Sequence, residues 1–261
     1  MVAPLIVDVG AHDGTDTAYY LSLGYRVVAI EADPIKVEAL EARFRTQIDS
    51  GRLSLVNTGV GDICGMLPFF RCRRDSGSSS FDRSWFDHEG VDVIEIAVRP
   101  LIDVIREVGA PYYLKCDIEG FDYKALSTLQ PEYAPNYISA EVQNDREMLD
   151  LFVHLGYRQF KLVAQPYHTP SEEIYDYEVG WRLLRKLSRK IPGLHKAIES
   201  LPQRLRPKTE WEHPMEGSGP FGEDTPGLWL DERQARAKLA RVMRHAERSG
   251  VRAWTDLHAK L

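Results

Sequence analysis

The sequence predicts an α/β fold with a Rossmann-like, mostly parallel sheet. Residues 5–9 form an apolar run, broken only by Asp8, that leads through a glycine turn into a helix beginning near Thr15. A second apolar run, residues 25–30, ends at the acidic residue Glu31, about 20 residues beyond the turn. Strand, turn, helix and second strand in this order are typical of a nucleotide-binding βαβ unit.

The glycine turn favours a nucleoside ligand with a positive charge. Gly10 and Gly14 permit a backbone path that most side chains would obstruct, and Glu31 is placed where a carboxylate holds the hydroxyls of an adenosine ribose. A dinucleotide turn requires a middle glycine, but this position is His12, and nearby acidic residues would repel a pyrophosphate. S-adenosylmethionine (SAM) carries no phosphate and has a cationic amino-acid end, which Asp8 could bind directly or through water. These residues favour SAM over a dinucleotide without excluding the latter.

Length and composition agree with one enzyme domain plus an elaboration. The chain has 261 residues, of which 43% are hydrophobic and 28% charged, which is ordinary for a globular protein. No apolar run approaches the roughly 20 residues that span a bilayer, and the first strand begins too early to leave room for a signal peptide. We therefore expect a cytoplasmic protein. The three cysteines lack C-x-x-C spacing, so neither a disulfide framework nor a zinc knuckle is indicated.

The next elements bring further residues toward the same site. Asp33 is typical of the N-cap of a second helix, and residues 53–60 then read as a third strand. Asn57 lies near the end of that strand, where the edge of an adenine is expected. A hairpin strand is predicted over residues 66–71, followed by the Ser-rich loop 73–81. This loop is either a flexible linker or a segment that orders over the bound cofactor.

A second acidic signature lies at the end of the fourth predicted strand. Period-two alternation turns Lys115, Asp117 and Glu119 to one side if the strand continues that far. A fifth strand, residues 136–142, brings Glu141 to the same edge of the sheet. Converging carboxylates act as a general base on a substrate hydroxyl or as ligands of a divalent ion such as Mg²⁺, for which Asp117 and Glu141 are the candidates. In the alternative interpretation, Asp117 caps the following helix and Lys115 pairs with an acid.

Two motifs of this chain resemble those of a known family. They are Val7-Asp8-Val9-Gly10-Ala11-x-x-Gly14 and Leu114-Lys115-Cys116-Asp117-Ile118-Glu119-Gly120-Phe121-Asp122. Together with segment 99–103 and the Ser-rich loop, they resemble the FkbM family of SAM-dependent methyltransferases over roughly residues 5–165. The resemblance implies a class I methyltransferase fold, whose seven-stranded sheet ends in an antiparallel strand, and O-methylation, often of a sugar hydroxyl.

The last part of the chain is predicted to return to the sheet. Residues 157–163 read as a sixth strand, and residues 251–260, in which Asp256 and His258 alternate, fit the antiparallel final strand. The predicted domains are a SAM-binding core of residues 1–163, an insertion of residues 164–250 that covers the substrate at the ligand edge of the sheet, and a final segment of residues 251–261.

Residues 181–208 of the insertion carry an unusual charge. They contain nine Lys or Arg residues and one acid, Glu199, and thus have a net charge of +8, whereas the whole chain has −6. This stretch is either a solvated helix face on the acidic body or a contact surface for an anionic acceptor, an acyl carrier or a membrane surface. Nucleic acid is not expected as a partner, because the remainder of the chain, at −14, would repel it.

Two large aromatic residues follow the basic stretch in a loop rich in turn-forming residues. Phe221 and Trp229 either stack on a sugar or anchor this loop to the core.

The predicted function is SAM-dependent methyl transfer to a hydroxyl of a sugar or of a sugar-containing small molecule or natural product, with the acidic cluster as base or metal site. The expected partner is this small-molecule acceptor, which is either anionic or a saccharide. The alternatives are a nicotinamide-dependent sugar oxidoreductase and a SAM-fold scaffold that docks a partner through its basic insertion, and the oligomeric state stays open. The expected cofactor-binding residues are Asp8, Gly10, His12, Asp13, Gly14, Thr17, Glu31, Ala32, Asn57 and Asp117. The expected catalytic residues are Lys115, Asp117, Glu119, Glu141 and His258.

Overall fold

The computed structural model describes residues 3–73, 76–85, 90–142, 147–165, 169–170, 217–249 and 255–261. The basic stretch 181–208 lies outside these residues, so its contacts stay predictions. The division of the chain into core, insertion and final segment likewise stays a prediction.

Eleven strands and seven α-helices are defined within these ranges. The strands are β1 (Leu5–Val9), β2 (Arg26–Glu31), β3 (Leu53–Asn57), β4 (Gly59–Gly61), β5 (Gly65–Cys72), β6 (Val91–Pro100), β7 (Tyr113–Cys116), β8 (Tyr137–Glu141), β9 (Gln159–Ala164), β10 (Thr169–Pro170) and β11 (Thr255–Lys260). The helices are α1 (Thr15–Ser22), α2 (Pro34–Arg43), α3 (Arg45–Asp49), α4 (Leu101–Val108), α5 (Asp122–Leu126), α6 (Glu147–His154) and α7 (Glu232–Ser249).

The large sheet has eight strands in the order β10-β9-β11-β8-β7-β1-β2-β3. Strands β3, β2, β1, β7 and β8 pair in parallel, whereas β11 is antiparallel to both β8 and β9. This confirms the predicted class I sheet with an antiparallel last strand. Strand β10 adds a two-residue antiparallel pairing to β9 that the sequence does not predict. The carboxyl ends of β1, β2 and β7 meet at one edge, where open α/β sheets bind their ligands.

The third predicted strand is in fact two strands. Residues 53–60 divide at Thr58, whose backbone amide donates to the carbonyl oxygen of Glu31 at 3.2 Å and whose hydroxyl donates to that of Ala97 at 3.0 Å. The chain thereby leaves the large sheet and enters a second sheet of order β4-β6-β5. Strand β5 contains the predicted hairpin strand. Its partner β6 is absent from the sequence-based prediction, although its Val- and Ile-rich composition is typical of a strand.

One face of the large sheet is apolar, as expected for a buried parallel sheet. Side chains such as Val7, Leu114, Ile138 and Leu257 on this face belong to one buried cluster with residues of α4, α5, α6 and α7.

Polar side chains form a row across the opposite face. The pairing register aligns Asp8, Lys115, Ser139, His258 and Lys161 on five adjacent strands. All five are buried, with at most 4% exposure. Residues in register point to the same face of a sheet, so this face needs a cover that offers polar partners.

Segment 217–230 supplies part of this cover. The Lys161 ammonium donates to the carbonyl oxygens of Gly222 and Thr225 at 3.3 and 2.6 Å, and it lies 4.3 Å from the ring centroid of Trp229. The ring of Phe221 stacks on that of Tyr113 with centroids 4.1 Å apart. The structure thus supports the anchoring interpretation of both aromatics. This segment runs across the sheet face, from Asp16 of α1 to the tyrosines at the amino ends of the strands, and the substrate-covering role of the insertion stays a prediction.

The predicted sixth strand and the predicted final strand are both present, as β9 and β11. Strand β11 covers Thr255–Lys260, and residues 251–254 lie outside the described ranges. Among the helices that the structure describes, none combines the length and the apolar composition required to cross a membrane.

Candidate active site

A cleft of about 580 Å³ opens at the carboxyl ends of β1, β2 and β7. The small sheet and the Ser-rich loop form its opposite wall through Phe69 and Phe81. The predicted site residues that line the cleft are Gly10, His12, Glu31, Ala32, Asp117 and Glu119. One cleft therefore unites the glycine turn with the second acidic signature.

Glu31 forms the inner wall of the cleft and is 9% exposed. Its Oε2 accepts a hydrogen bond from the backbone amide of His12 at 2.8 Å, and its Oε1 accepts one from that of Asp33 at 2.9 Å. Burial raises the pKa of Glu31 above its usual value, which the two amide hydrogen bonds oppose. Because a carboxylate offers about four acceptor positions, two remain for the hydroxyls of a ligand.

Two non-glycine residues of the cleft have left-handed backbones. The φ angle is 51° at His12 and 49° at Glu119. Such conformations are costly and persist where the surroundings fix them, which happens most often at ligand-binding sites. Here the Glu31 carboxylate holds the amide of His12, and the hydroxyl of Ser80 donates to the carbonyl oxygen of Glu119 at 2.6 Å.

The two loops that carry these residues contact each other at Gly10. This residue has φ of 80°, and a Cβ atom added to it would lie 2.0 Å from the carbonyl oxygen of Asp117. The amide of Asp117 in turn donates to the carbonyl oxygen of Val9 at 3.1 Å. Only glycine therefore allows the first motif to approach the second this closely.

Lys115 is the cation in a buried cluster of carboxylates. Its Nζ lies 3.3 Å from Asp8 Oδ1, 3.2 Å from Asp16 Oδ2 and 3.9 Å from Asp117 Oδ2. Burial alone would lower the pKa of Lys115, but the carboxylates raise it well above its usual value. Lys115 is thus a buried counter-ion outside the cleft lining, and its catalytic role stays a prediction.

Two further residues extend this cluster. The side-chain amide of Gln165 donates to Asp117 Oδ2 at 3.3 Å. Asp256 is 3% exposed, and burial together with the charge of Asp117 raises its pKa well above the usual value. Asp16 Oδ1 accepts a hydrogen bond from the amide of Ser218 at 2.8 Å, which ties α1 to segment 217–230.

Asp8 and Thr17 were expected to bind the cofactor, but they lie beneath the cleft. Both are fully buried, and Thr17 Oγ1 donates to Asp8 Oδ2 at 2.6 Å. Burial raises the pKa of Asp8, which the nearby Lys115 ammonium opposes. Asp8 therefore supports Lys115 and helix α1, and it is not placed to contact a ligand directly.

Three other predicted cofactor residues also have structural roles outside the cleft lining. Asp13 accepts a hydrogen bond from the amide of Thr15 at 3.0 Å, so it occupies an amide at the start of α1 that is expected to face the ligand. Gly14 has φ of 81° and packs against Phe44. Asn57 is exposed, and its side-chain amide donates to two carbonyl oxygens at the end of β2, at 3.0 and 3.1 Å.

The predicted catalytic residues are likewise only partly brought together. Strand β7 ends at Cys116, so the alternation does not reach Glu119, which enters the cleft from the following turn. Glu141 and His258 are each 2% exposed and do not line the cleft. Among the described residues, no three His, Cys, Asp or Glu side chains form a group suited to a metal ion, so the predicted Mg²⁺ site at Asp117 and Glu141 gains no support.

The turn 117–120 after β7, which we call the acidic turn, is held by a residue that the sequence analysis does not select. Asp122 Oδ1 accepts from the amide of Ile118 and Oδ2 from that of Gly120, both at 3.2 Å. Burial, with the charge of Asp117 as a second cause, raises the pKa of Asp122 to about 6. Its place in the second motif is the signal that could have identified it.

A second such residue connects the two walls of the cleft. Arg71 of β5 forms two hydrogen bonds with the Asp33 carboxylate, of 2.6 and 2.7 Å. Asp33 also accepts from the amide of Ile35 and thus caps α2 as predicted. The sequence around Arg71 contains no signal for this contact, because it depends on how the two sheets are arranged.

The lining of the cleft fits SAM better than a dinucleotide. Its acidic residues are Glu31, Asp33, Asp117 and Glu119, and Lys36 is its lysine. This charge attracts a ligand with cationic groups and repels a pyrophosphate. Apolar side chains on both walls supply the surface that a purine base requires.

Several solved structures are similar to this chain. One is precorrin-6y C5,15-methyltransferase from Geobacter metallireducens GS-15, with 11% identity over 63% of this chain and 71% of that chain and a TM-score of 0.35. The StiE O-MT has 12% identity over 98% and 67%, with a TM-score of 0.41. The O-methyltransferase from the trans-AT PKS multienzyme of Brevibacillus brevis, in complex with S-adenosyl-L-homocysteine, has 11% identity over 98% and 66%, with a TM-score of 0.41. Comparison with curated proteins found no match by sequence.

The family comparison covers most of the core. The model of the methyltransferase FkbM domain matches residues 8–159, which are more than half of the chain. They include the second motif and all of the first motif except Val7. The chain therefore belongs to the FkbM family of methyltransferases.

Proposed function

We propose that this protein transfers the methyl group of SAM to a hydroxyl of a saccharide or a sugar-containing small molecule. The observation that carries the proposal is the single cleft in which Glu31, the glycine turn and Asp117 meet. The family supplies the reaction class, and the family resemblance is the ground for a sugar acceptor.

In this proposal, the wall formed by Glu31 holds the nucleoside. The free acceptor positions of its carboxylate receive the ribose hydroxyls, and the apolar side chains of the cleft cover the base. The bound SAM supplies an electrophilic methyl group on a sulfonium. The net negative lining of the cleft supports the binding of this cationic ligand.

Asp117 is the proposed base that accepts the proton of the acceptor hydroxyl. Its side chain is 26% exposed and lines the cleft, whereas Glu141 and His258 do not. The Lys115 ammonium lies 3.9 Å from Asp117 Oδ2, and the side-chain amide of Gln165 donates to the same oxygen, so the carboxylate is held in place. Most of the rate is expected from the orientation of the acceptor, with the base contributing about 10²- to 10⁴-fold.

Binding of S-adenosylhomocysteine, measured by calorimetry, tests the cofactor assignment. We expect binding to the unaltered protein and no response to NAD(H), which would instead indicate a dinucleotide enzyme. The Glu31→Gln variant should bind about ten- to a hundredfold more weakly, because it loses a charged acceptor of the ribose hydroxyls. The matched control is Glu38→Gln on the exposed side of α2, which should bind normally. Equal binding by both variants would remove Glu31 from the site.

The Asp117→Asn variant tests the proposed base. Release of S-adenosylhomocysteine is followed with a panel of sugar-containing acceptors, and the variant should lose at least a hundredfold in turnover while its affinity for S-adenosylhomocysteine changes little. Treatment with EDTA separates the two roles predicted for this carboxylate, since a base keeps its rate and a Mg²⁺ ligand does not. Full turnover by the variant would show that another group accepts the proton.

A further inference from the structure

A second pocket lies at the opposite edge of the large sheet from the cleft. It has a volume of about 410 Å³ and is lined mainly by tyrosines. Tyr25 immediately precedes β2, Tyr112 precedes β7, and Tyr137 is the first residue of β8. The pocket therefore lies at the amino ends of β2, β7 and β8, and the carboxyl ends of β2 and β7 belong to the candidate active site.

The aromatic rings of this pocket pack against one another in steeply inclined planes. The ring of Phe221 is stacked on that of the buried Tyr113 at an interplanar angle of 4°. The rings of Tyr25, Tyr112 and Tyr137 are inclined at 62°, 74° and 69° to the ring of Phe221, with centroids 5.6 to 6.3 Å from its centroid. Tyr25 and Tyr112 are nearly parallel, at 13°, and Tyr137 lies at 74° to Tyr112. We call Phe221, Tyr25, Tyr112 and Tyr137 the tyrosine box.

Two carboxylates lie at the rim of the tyrosine box, and they differ in their partners. Glu223 is neutralised by Lys260 at 2.6 Å and also accepts from Trp229 at 2.8 Å and Tyr137 at 3.1 Å. Asp224 is exposed, and within the described part of the chain it forms neither an ion pair nor a side-chain hydrogen bond. Burial raises the pKa of Tyr25, and the neighbouring Tyr112 and the charge of Asp224 raise it further.

We propose that the tyrosine box binds an organic ammonium group. The faces of aromatic rings attract a cation, and the attraction is largest where several rings exclude water around it. Methyl or methylene groups next to the nitrogen pack against the same rings, and Asp224 supplies the opposite charge at the rim. A neutral sugar would use the rings but not the charge. This site is separate from the proposed methyl transfer and does not depend on it.

Choline is the probe for this proposal, and its neutral isostere 3,3-dimethylbutan-1-ol is the control. Both are titrated into the full chain saturated with S-adenosylhomocysteine, which keeps the ammonium probe out of the cleft. Binding is followed by calorimetry and by tyrosine fluorescence. We expect choline to bind at least tenfold more tightly than the isostere, a difference of about 1.4 kcal/mol. Equal binding of the two, absence of choline binding, or tighter binding of glucose than of choline would each overturn the proposal.

Two variants assign the binding to the tyrosine box. Asp224→Asn, at an exposed position where folding is little affected, should weaken choline binding several-fold, and Tyr25→Leu should weaken it about tenfold by removing one ring. Glu95→Gln, at an exposed position of β6, is the matched control and should leave choline binding unchanged. All three variants should bind S-adenosylhomocysteine normally. Unchanged choline binding in both Asp224→Asn and Tyr25→Leu would place the ammonium elsewhere and contradict the assignment.

Discussion

At the scale of single residues, the raised pKa of Asp122 makes the free energy of unfolding depend on pH. The pKa is about 6 in the folded chain, against an ordinary value of 3.8. Between these values the folded chain holds a proton that the unfolded chain has lost, so the contribution of Asp122 to the free energy of unfolding falls as the pH rises. At about 1.4 kcal/mol per pKa unit, this change is on the order of 3 kcal/mol.

Urea denaturation of Asp122→Asn at pH 4.5 and 7 measures this effect. The variant has no carboxyl proton to lose, so its stability relative to the unaltered protein should increase between these pH values by roughly 2 kcal/mol. It should still lose some stability at both, because asparagine offers one acceptor oxygen for the two amides of the acidic turn. Asp62→Asn, at an exposed position, is the control for the loss of one surface carboxyl and should change the stability little. A constant stability difference between pH 4.5 and 7 would contradict the assigned pKa.

Residue type and motif position indicate some residues of the cleft correctly, but they do not show whether a side chain lines the cleft or is buried beneath it. Glu31 and Asp117 are expected at the cleft because each follows a strand of the predicted parallel sheet, and both line it. Asp8 belongs to the first motif but is fully buried, since helix α1 returns Thr17 over it and β7 brings Lys115 beside it. Such partners are distant in sequence, and a single sequence does not reveal the pairing.

At the scale of elements, the close approach of the two cleft loops depends on the first glycine of the turn. Alanine at position 10 would be strained by the φ of 80° and would overlap the carbonyl oxygen of Asp117. Gly51→Ala is the matched control, because Gly51 has φ of 69° and open space around the added Cβ. The control should lose roughly 1–2 kcal/mol of stability from backbone strain alone.

Gly10→Ala should lose roughly 1–3 kcal/mol more than Gly51→Ala, since the two loops must move apart. Because these loops form the cleft, its affinity for S-adenosylhomocysteine should fall at least tenfold, while that of Gly51→Ala stays unchanged. Denaturation and calorimetry on both variants provide the comparison. Equal stability losses in the two variants would mean that the overlap with Asp117 is relieved without cost.

Helices and strands with a clear hydrophobic period can be predicted from the sequence, whereas the way in which the strands pair into sheets is harder to predict. The βαβ unit is confirmed because strand, glycine turn, N-capped helix and second strand are all local patterns. The small sheet is not predicted as a unit, because β4 and β6, which pair in parallel in the structure, are separated in the sequence by strand β5 and the Ser-rich loop. This sheet brings Arg71 to Asp33 and Phe69 to the cleft, so those residues could not be selected from the sequence.

At the scale of the whole molecule, the last strand in the sequence completes the interior of the large sheet. Strand β11 is inserted between β8 and β9, with which it shares five and six residue pairs. It also contributes Leu257 to the apolar core and Asp256 and His258 to the buried polar face. The order of the strands follows from the family resemblance. The buried polar face is revealed only by the pairing register of the strands, and its cover, segment 217–230, only by contacts such as those with Lys161.

A chain truncated after Ser249 tests how far the fold depends on this closing strand. Its removal leaves β8 and β9 without the ladder between them and exposes the apolar core that Leu257 covers. We expect the loss of a cooperative urea transition, with retained secondary structure and binding of a hydrophobic dye, as in a molten globule. Deletion of Leu261 alone, which is 52% exposed, should leave the transition intact. If the truncated chain unfolded cooperatively with an unchanged m-value, the sheet would be stable without its central antiparallel strand, and the buried polar row would need no partner from β11.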